Sequence, residues 1–316
     1  ALPAGGVELV AASADRRRLL ALAAGAVLLL DHDRGEAREV LRLRPGRDPA
    51  RHPVHRAVRY AARDGLAIPA VLTLPPDPGT HGPLPAVVLP PDDPWRPRRG
   101  GEQPLVDLLA DRGFAVLQPS PRGSVGFGRA FRAAGERQWG GAMLDDLADG
   151  VGWMVAEGVA DPERVAIVGF GWGGYAAVAA LAFTPDLYAA GVAVDGPVDL
   201  EAMVAGVADP LQAAVLRRRA GDPAISAERE RLHRHSPLAH AGAIRAPLLR
   251  VDLEGGPWSD RDGSERLVAA LRRLGRPVES FSVVGSGGRL EGAAGVAVAR
   301  EVERFLALHL GTAEGR

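Results

Sequence analysis

The chain has 316 residues, of which 47% are hydrophobic and 24% charged, and a formal net charge of −1 at pH 7. That balance, with no basic stretch interleaved with aromatics, gives no case for nucleic acid, and the lack of cysteine excludes disulfides, thiolate chemistry and cysteine-ligated zinc. The length suits one large α/β domain with an appendage.

Residues 7–43 read as an antiparallel β-meander. Val7–Ala12, Leu19–Ala24, Ala26–Leu30 and Ala37–Leu43 are short apolar runs, separated by turn residues at Ser13, Asp15 and Asp31 to Gly35. The apolar run Ala21–Leu30 is too short to span a bilayer, so no membrane is expected and the chain is read as cytoplasmic. Pro45 to Pro53 is a Pro-, Arg- and Gly-rich linker. The boundary is placed there, with an appendage over 1–56 and the main domain over 57–316.

From Val58 the pattern changes. Strands are expected at Val58, Ile68–Leu74, Pro85–Leu89, Gly113–Gln118, Val165–Val168, Ala189–Val194, Leu248–Leu253 and Val278–Val284. Helices are expected at Leu105–Asp111, Met143–Glu157, Ala176–Ala182, Asp209–Arg219, Ser264–Leu274 and Ala297–Leu310. Strands alternating with helices imply a mostly parallel sheet covered on both faces.

Val165 to Tyr175 carries the most information. A β-branched run meets Gly169-Phe170-Gly171-Trp172-Gly173 and then an alanine-rich helix. Strand, sharp turn and helix make the geometry of a nucleophile elbow, whose motif is G-x-S-x-G. The serine position is Gly171. Glycine takes a left-handed backbone without steric cost, so the turn survives while the attacking atom is lost.

Several further stretches carry a specific resemblance. They are Arg63-Asp64-Gly65, Arg112-Gly113-Phe114, Arg122-Gly123-Ser124, Gln138-Trp139-Gly140-Gly141 with Asp145-Asp146, Asp161-Pro162-Glu163-Arg164, Thr184-Pro185-Asp186 and Ser236-Pro237-Leu238. Together they resemble the catalytic domain of the prolyl oligopeptidase family, nearest its acylaminoacyl-peptidase-like and dipeptidyl-peptidase-like members. The resemblance implies an α/β-hydrolase fold and makes the N-terminal meander similar to the end of that family's β-propeller. It also assigns positions. The nucleophile falls on Gly171, the acid on Gly256 (or Gly255 with a one-residue slip) and the base on Gly288. The family's oxyanion-hole loop falls on Pro91-Asp92-Asp93-Pro94. Acyl transfer by that mechanism needs a nucleophile, a base and a group that orients the base, and all three positions read as glycine.

The expectation is a catalytically degenerate member, retained to bind or scaffold a peptide, a small ligand or a protein partner. The alternative is an enzyme acting on peptides or acyl compounds by a non-standard mechanism in the same cleft. Trp172, Phe170, Tyr175, Asp92, Asp93 and Glu254 are the candidate cleft residues, with Trp172 either as the wall of a small apolar pocket or folded in to plug the vacated space, and its N–H as a surviving oxyanion donor. His233 and His235 are read as a solvated stretch. No metal and no cofactor are expected. A homodimer or a protein partner is expected through the N-terminal β edge.

Overall fold

The computed structural model describes residues 7–23, 26–42, 52–76, 82–96, 103–256, 258–284 and 292–311. A small antiparallel sheet comes first. Its strands β1 (Val7–Ala12), β2 (Arg18–Ala23), β3 (Ala26–Asp31) and β4 (Glu36–Arg42) pair in sequence order. This is the expected meander. Its turns are held by side chains, with the Ser13 hydroxyl donating to Asp15 and Asp31 accepting the Asp33 N–H.

The main sheet has eight strands: β5 (Val54–Ala61), β6 (Ala67–Leu74), β7 (Leu84–Val88), β8 (Ala115–Pro119), β9 (Ala160–Phe170), β10 (Ala190–Val194), β11 (Leu248–Glu254) and β12 (Val278–Val284). Their spatial order is β12-β11-β10-β9-β7-β8-β6-β5. The run from β8 to β12 is parallel, and β5 and β6 join it antiparallel. This is an α/β-hydrolase fold. Central strands are buried on both faces, so β7, β8 and β10 are apolar with hardly a break. The edge strand β12 instead alternates, with Ser280 and Ser282 facing outward.

Alternation along the strands divides the core into two layers. Ala86, Val88, Val165 and Ile167 point to one face, with α3 (Ala142–Ala156), α4 (Trp172–Phe183) and α8 (Arg261–Arg273) packed there. Val87, Val116, Ala166 and Val168 point to the other, under α1 (Pro104–Asp111) and α9 (Gly292–Leu310). The α8 stripe Ser264, Leu267, Val268 and Leu271 has helical spacing, and Asp260 caps the helix by accepting the Gly263 N–H. Helix α4 is buried over its whole length from Trp172 to Ala182. Its alanines and glycines are what let it lie against β9 and β10.

Four short elements were not expected from the sequence: α2 (Arg129–Ala133), α5 (Leu200–Ala205), α7 (Ser226–Arg234) and a 3-10 turn at Pro237–Ala243. The expected helix at 209–219 is present as α6 (Pro210–Arg219), capped by Asp209. Three of the four lie with α6 in the insertion between β10 and β11. Elements of five to nine residues are too short to show the apolar period that reveals a helix in sequence. No helix among the described residues is long and apolar enough to cross a membrane.

A buried ion-pair network ties the antiparallel edge of the sheet to α3. Arg122 donates to Asp146 from Nε, Nη2 and its backbone N–H, and to Asp64 from both terminal nitrogens. Asp146 is fully buried. The Arg122 guanidinium holds the Asp64 carboxyl down at about 2. Arg63 adds pairs to Asp145 and Asp149. These are motif residues of the family resemblance, and their work here is structural. Removing one partner of a buried pair leaves an uncompensated charge, so Asp146→Ala is expected to cost about 3–5 kcal/mol in urea unfolding. Arg261→Ala, which breaks a pair exposed at 71% and 67%, is expected to leave the unfolding midpoint almost unchanged in the same assay.

Candidate functional site

The chain order of the strands reverses between β7 and β9, and ligands of open α/β sheets bind at such a switch point. The elbow stands there. Gly171 has φ 55° and ψ −119°, the strained turn of a nucleophile elbow. Gly169 is required by close approach: a Cβ on it would lie 1.9 Å from the Gly173 carbonyl oxygen.

The space a side chain at Gly171 would enter is occupied. A Cβ built there meets Trp258 Cδ1 at 2.7 Å, the Asp92 carbonyl oxygen at 2.8 Å and Trp258 Nε1 at 2.9 Å. The Trp172 N–H, expected as a surviving oxyanion donor, donates instead to the Asp92 carbonyl at 2.8 Å. That correction follows from the β7 loop, which closes over the start of α4 and supplies its own acceptor. The Gly171 N–H is also engaged, by the Val194 carbonyl at 3.0 Å.

Trp172 does not wall an open pocket. Its ring is fully buried and meets Trp139 edge-on, with centroids 6.5 Å apart. Trp139 also contacts Trp95, Tyr175 and Trp258 at 5.3, 5.7 and 6.0 Å. Four of the chain's five tryptophans therefore converge behind the elbow. The indole N–H groups of Trp139 and Trp172 are buried without an acceptor among the described residues. Tyr175 is buried as well, and its hydroxyl donates to the His235 carbonyl at 2.9 Å. His235 is not a solvated residue. It is half-buried, and a Cβ on Gly140 would lie 2.5 Å from its own Cβ. Burial lowers its imidazole pKa. No local pattern marks Trp95 and Trp258 as site residues, because they lie 77 positions before and 86 positions after Trp172 in the sequence.

The position that the resemblance gives to the acid is filled too. A Cβ on Gly256 would lie 2.2 Å from Asp195 Oδ2. Asp195 follows β10 with φ 60° and is buried. Burial raises its carboxyl to about 6, against the Leu253 N–H and the Arg250 charge, which lower it. Arg250 is itself fully buried. It donates to Asp252, Ser264 and the carbonyls of Asp195 and Gly196, so its donors are met by a preformed cradle.

The remaining candidates do not converge. Asp92 and Glu254 are exposed, and Asp93 pairs with Arg96 at 3.3 Å. Phe170 packs toward the α1 and α9 layer. No carboxylate and histidine cluster among the described residues is fit to hold a metal. Gly288 lies outside the described residues. A concavity of about 300 Å³ lined by Asp252, Arg261, Ser264, Arg272 and Ser282 sits beside β12, away from the elbow.

Two outcomes are expected. Gly171→Ser places a Cβ in the left-handed turn and against Trp258, so urea unfolding is expected to show a loss of at least about 1–3 kcal/mol. Gly152→Ala, in α3 with open space around it, is expected to be neutral or to gain up to about 1 kcal/mol. The second concerns Asp195. An acid raised on folding binds its proton more tightly in the folded state, so its stability contribution is present below the unfolded value of 3.8 and is lost as pH rises through about 6. Asp195→Asn is expected to gain on the parent by about 1–3 kcal/mol between pH 4 and pH 7.5. An unchanged gap across that range would rule this out.

Comparison with known proteins agrees with this architecture. The sequence model of the prolyl oligopeptidase family matches residues 104–313. The chain is similar to dipeptidyl aminopeptidase BIII of Pseudoxanthomonas mexicana, at 38% identity over 230 residues, covering 70% of this chain and 33% of the relative. It is also similar to dipeptidyl peptidase family member 6 of Caenorhabditis elegans, at 31% identity over 69% of this chain and 33% of the relative. The chain thus spans about a third of the length of these curated relatives. Among solved structures, a puromycin-hydrolyzing peptidase of Mycobacterium tuberculosis superimposes with a TM-score of 0.81 at 25% identity, over 93% of this chain and 46% of that one. Pyrococcus horikoshii acylaminoacyl peptidase shares the fold, with a TM-score of 0.79 at 22% identity over 93% of this chain and 48% of the other. With its switch-point elbow, its buried Arg122 network and these matches, the chain belongs to the prolyl oligopeptidase family.

Proposed function

We propose that this chain is a catalytically degenerate prolyl-oligopeptidase-family domain, retained to bind or scaffold a peptide, a small ligand or a protein partner. One observation carries the reading. The elbow keeps its backbone, while Trp258 and the Asp92 carbonyl stand in the nucleophile's place. The loss therefore extends beyond one substituted side chain. The first oxyanion donor is spent on Asp92, the acid position is crowded by Asp195, and glycine stands at position 288. Acyl transfer needs preorganised donors where the oxyanion develops, and this loop supplies an acceptor there.

A partner surface has support in the small sheet. Its terminal strand β4 leaves Val40 and Leu41 more than half exposed, and an exposed strand edge is a template for pairing with another chain. A homodimer or a protein partner through that edge follows.

The test is hydrolysis of aminoacyl- and prolyl-p-nitroanilides and of p-nitrophenyl esters. No turnover above buffer is expected from the parent chain, from Gly171→Ser or from Gly171→Val. Parental turnover that the valine abolishes would sink the reading and put chemistry back in the elbow.

A further inference from the structure

The aromatic cluster behind the elbow ends in a cation that nothing described satisfies. Arg219, the last residue of α6, lays its guanidinium over the Trp95 ring, 4.6 Å from the centroid. The residue is half-buried. None of its side-chain N–H groups donates to a described residue, and no described carboxylate pairs with it. Its neighbours add charge of the same sign. Arg96 is held by Asp93 and Arg218 by Glu136, while Arg132 is exposed and pairs with no described carboxylate. Burial lowers the Arg219 pKa. Asp93 partly offsets that, and Arg132, Arg218 and Arg96 lower it further.

This face is built as one piece. The Arg137 N–H donates to the Arg219 carbonyl at 2.6 Å, which fastens the segment after α2 to the end of α6. The Val125 N–H donates to the Pro94 carbonyl at 3.1 Å, which fastens the loop before α2 to the loop carrying Trp95. Phe127 of that loop is 42% exposed and stands edge-on to Phe131, the neighbour of Arg132. The face therefore combines a partly desolvated guanidinium fork, a second cation unpaired among the described residues, and an exposed aromatic ring. A guanidinium fork matches a carboxylate with two parallel hydrogen bonds, and partial burial strengthens them. An exposed aromatic beside it favours an acid that carries an apolar group over a bare inorganic anion.

We propose that Arg219, with Arg132 and Phe127 beside it, binds the carboxylate of an apolar acid, presented as a small free acid or as the C-terminus of a peptide. The inference rests on the binding-module reading, but the two fail separately. Hydrolysis by the chain would end that reading without touching carboxylate binding, and loss of carboxylate binding would not restore hydrolysis.

The test uses the full chain and its indole N–H resonances, with Trp95 assigned from Trp95→Phe. N-acetyl-phenylalanine, its amide, a short acetylated peptide ending in a free phenylalanine, and sodium sulfate are titrated at constant ionic strength. A saturable shift of the Trp95 resonance with the acids, absent with the amide and with sulfate, is expected. Arg219→Gln should weaken it about tenfold or more, since a charge-assisted pair is lost, and Arg132→Gln should weaken it less. Arg219→Lys, which keeps the charge without the fork, should fall between, and dispersed spectra of these variants show that they fold. Tighter binding of the peptide than of acetylphenylalanine identifies a chain terminus as the source, and the reverse identifies a small acid. Equal response to acid and amide, equal response to sulfate, unchanged binding by Arg219→Gln, or no shift of Trp95 would each overturn the proposal.

Discussion

One backbone hydrogen bond, from the Trp172 N–H to the Asp92 carbonyl, decides the character of the switch point. It bridges the loop after β7 and the start of α4, the two segments that flank the cleft of an α/β sheet. With that bond made, the β7 loop lies close over Gly171, and Trp258 closes the space from the other side. A side chain on residue 171 has no room, and an oxyanion has no free donor from residue 172. The closed arrangement is stabilised from behind by the indoles of Trp95, Trp139 and Trp172, which pack as part of the core.

The same structure shows why the family resemblance stays specific although the positions it gives to the nucleophile, acid and base read as glycine. The retained motif residues hold elements together. Arg122 joins Asp64 and Asp146, and Arg164 pairs with Asp161 ahead of the elbow. The Ser236 hydroxyl accepts the Leu200 N–H and donates to the Leu232 carbonyl inside the insertion. Trp139 is the hub of the aromatic cluster. Buried polar groups are costly unless fully satisfied, so these residues are constrained by folding whether or not the cleft does chemistry. A catalytic side chain carries no such structural constraint.

Charge is arranged closely around Gly256, the position that the family resemblance gives to the acid. Arg250 is buried in a cradle of two carbonyls, a hydroxyl and Asp252, and Asp195 sits where a side chain on residue 256 would go. The Asp195 carboxylate therefore faces Gly256 and the Leu253 backbone amide. On the other side of the cluster the imbalance is reversed, with the guanidinium of Arg219, unpaired among the described residues, resting on Trp95.

Much of this was legible in the sequence. The alternation of apolar runs with helical patterns determined a parallel sheet with covered faces, the four-strand meander was marked by its turn residues, and the glycines at 169, 171 and 173 determined a nucleophile-type elbow without its serine. These are local properties, set by period, turn chemistry and steric freedom within a few residues. The short helices were not legible, because segments of five to nine residues are too short to show a helical period and take their shape from what they pack against. Tertiary structure alone decided the state of the cleft. That Trp258 lies over Gly171, that Asp195 crowds Gly256, that the Trp172 amide meets Asp92 and that Arg219 meets Trp95 are encounters between residues distant in sequence. No local pattern encodes such meetings, since they depend on how the ends of separate strands come together in space.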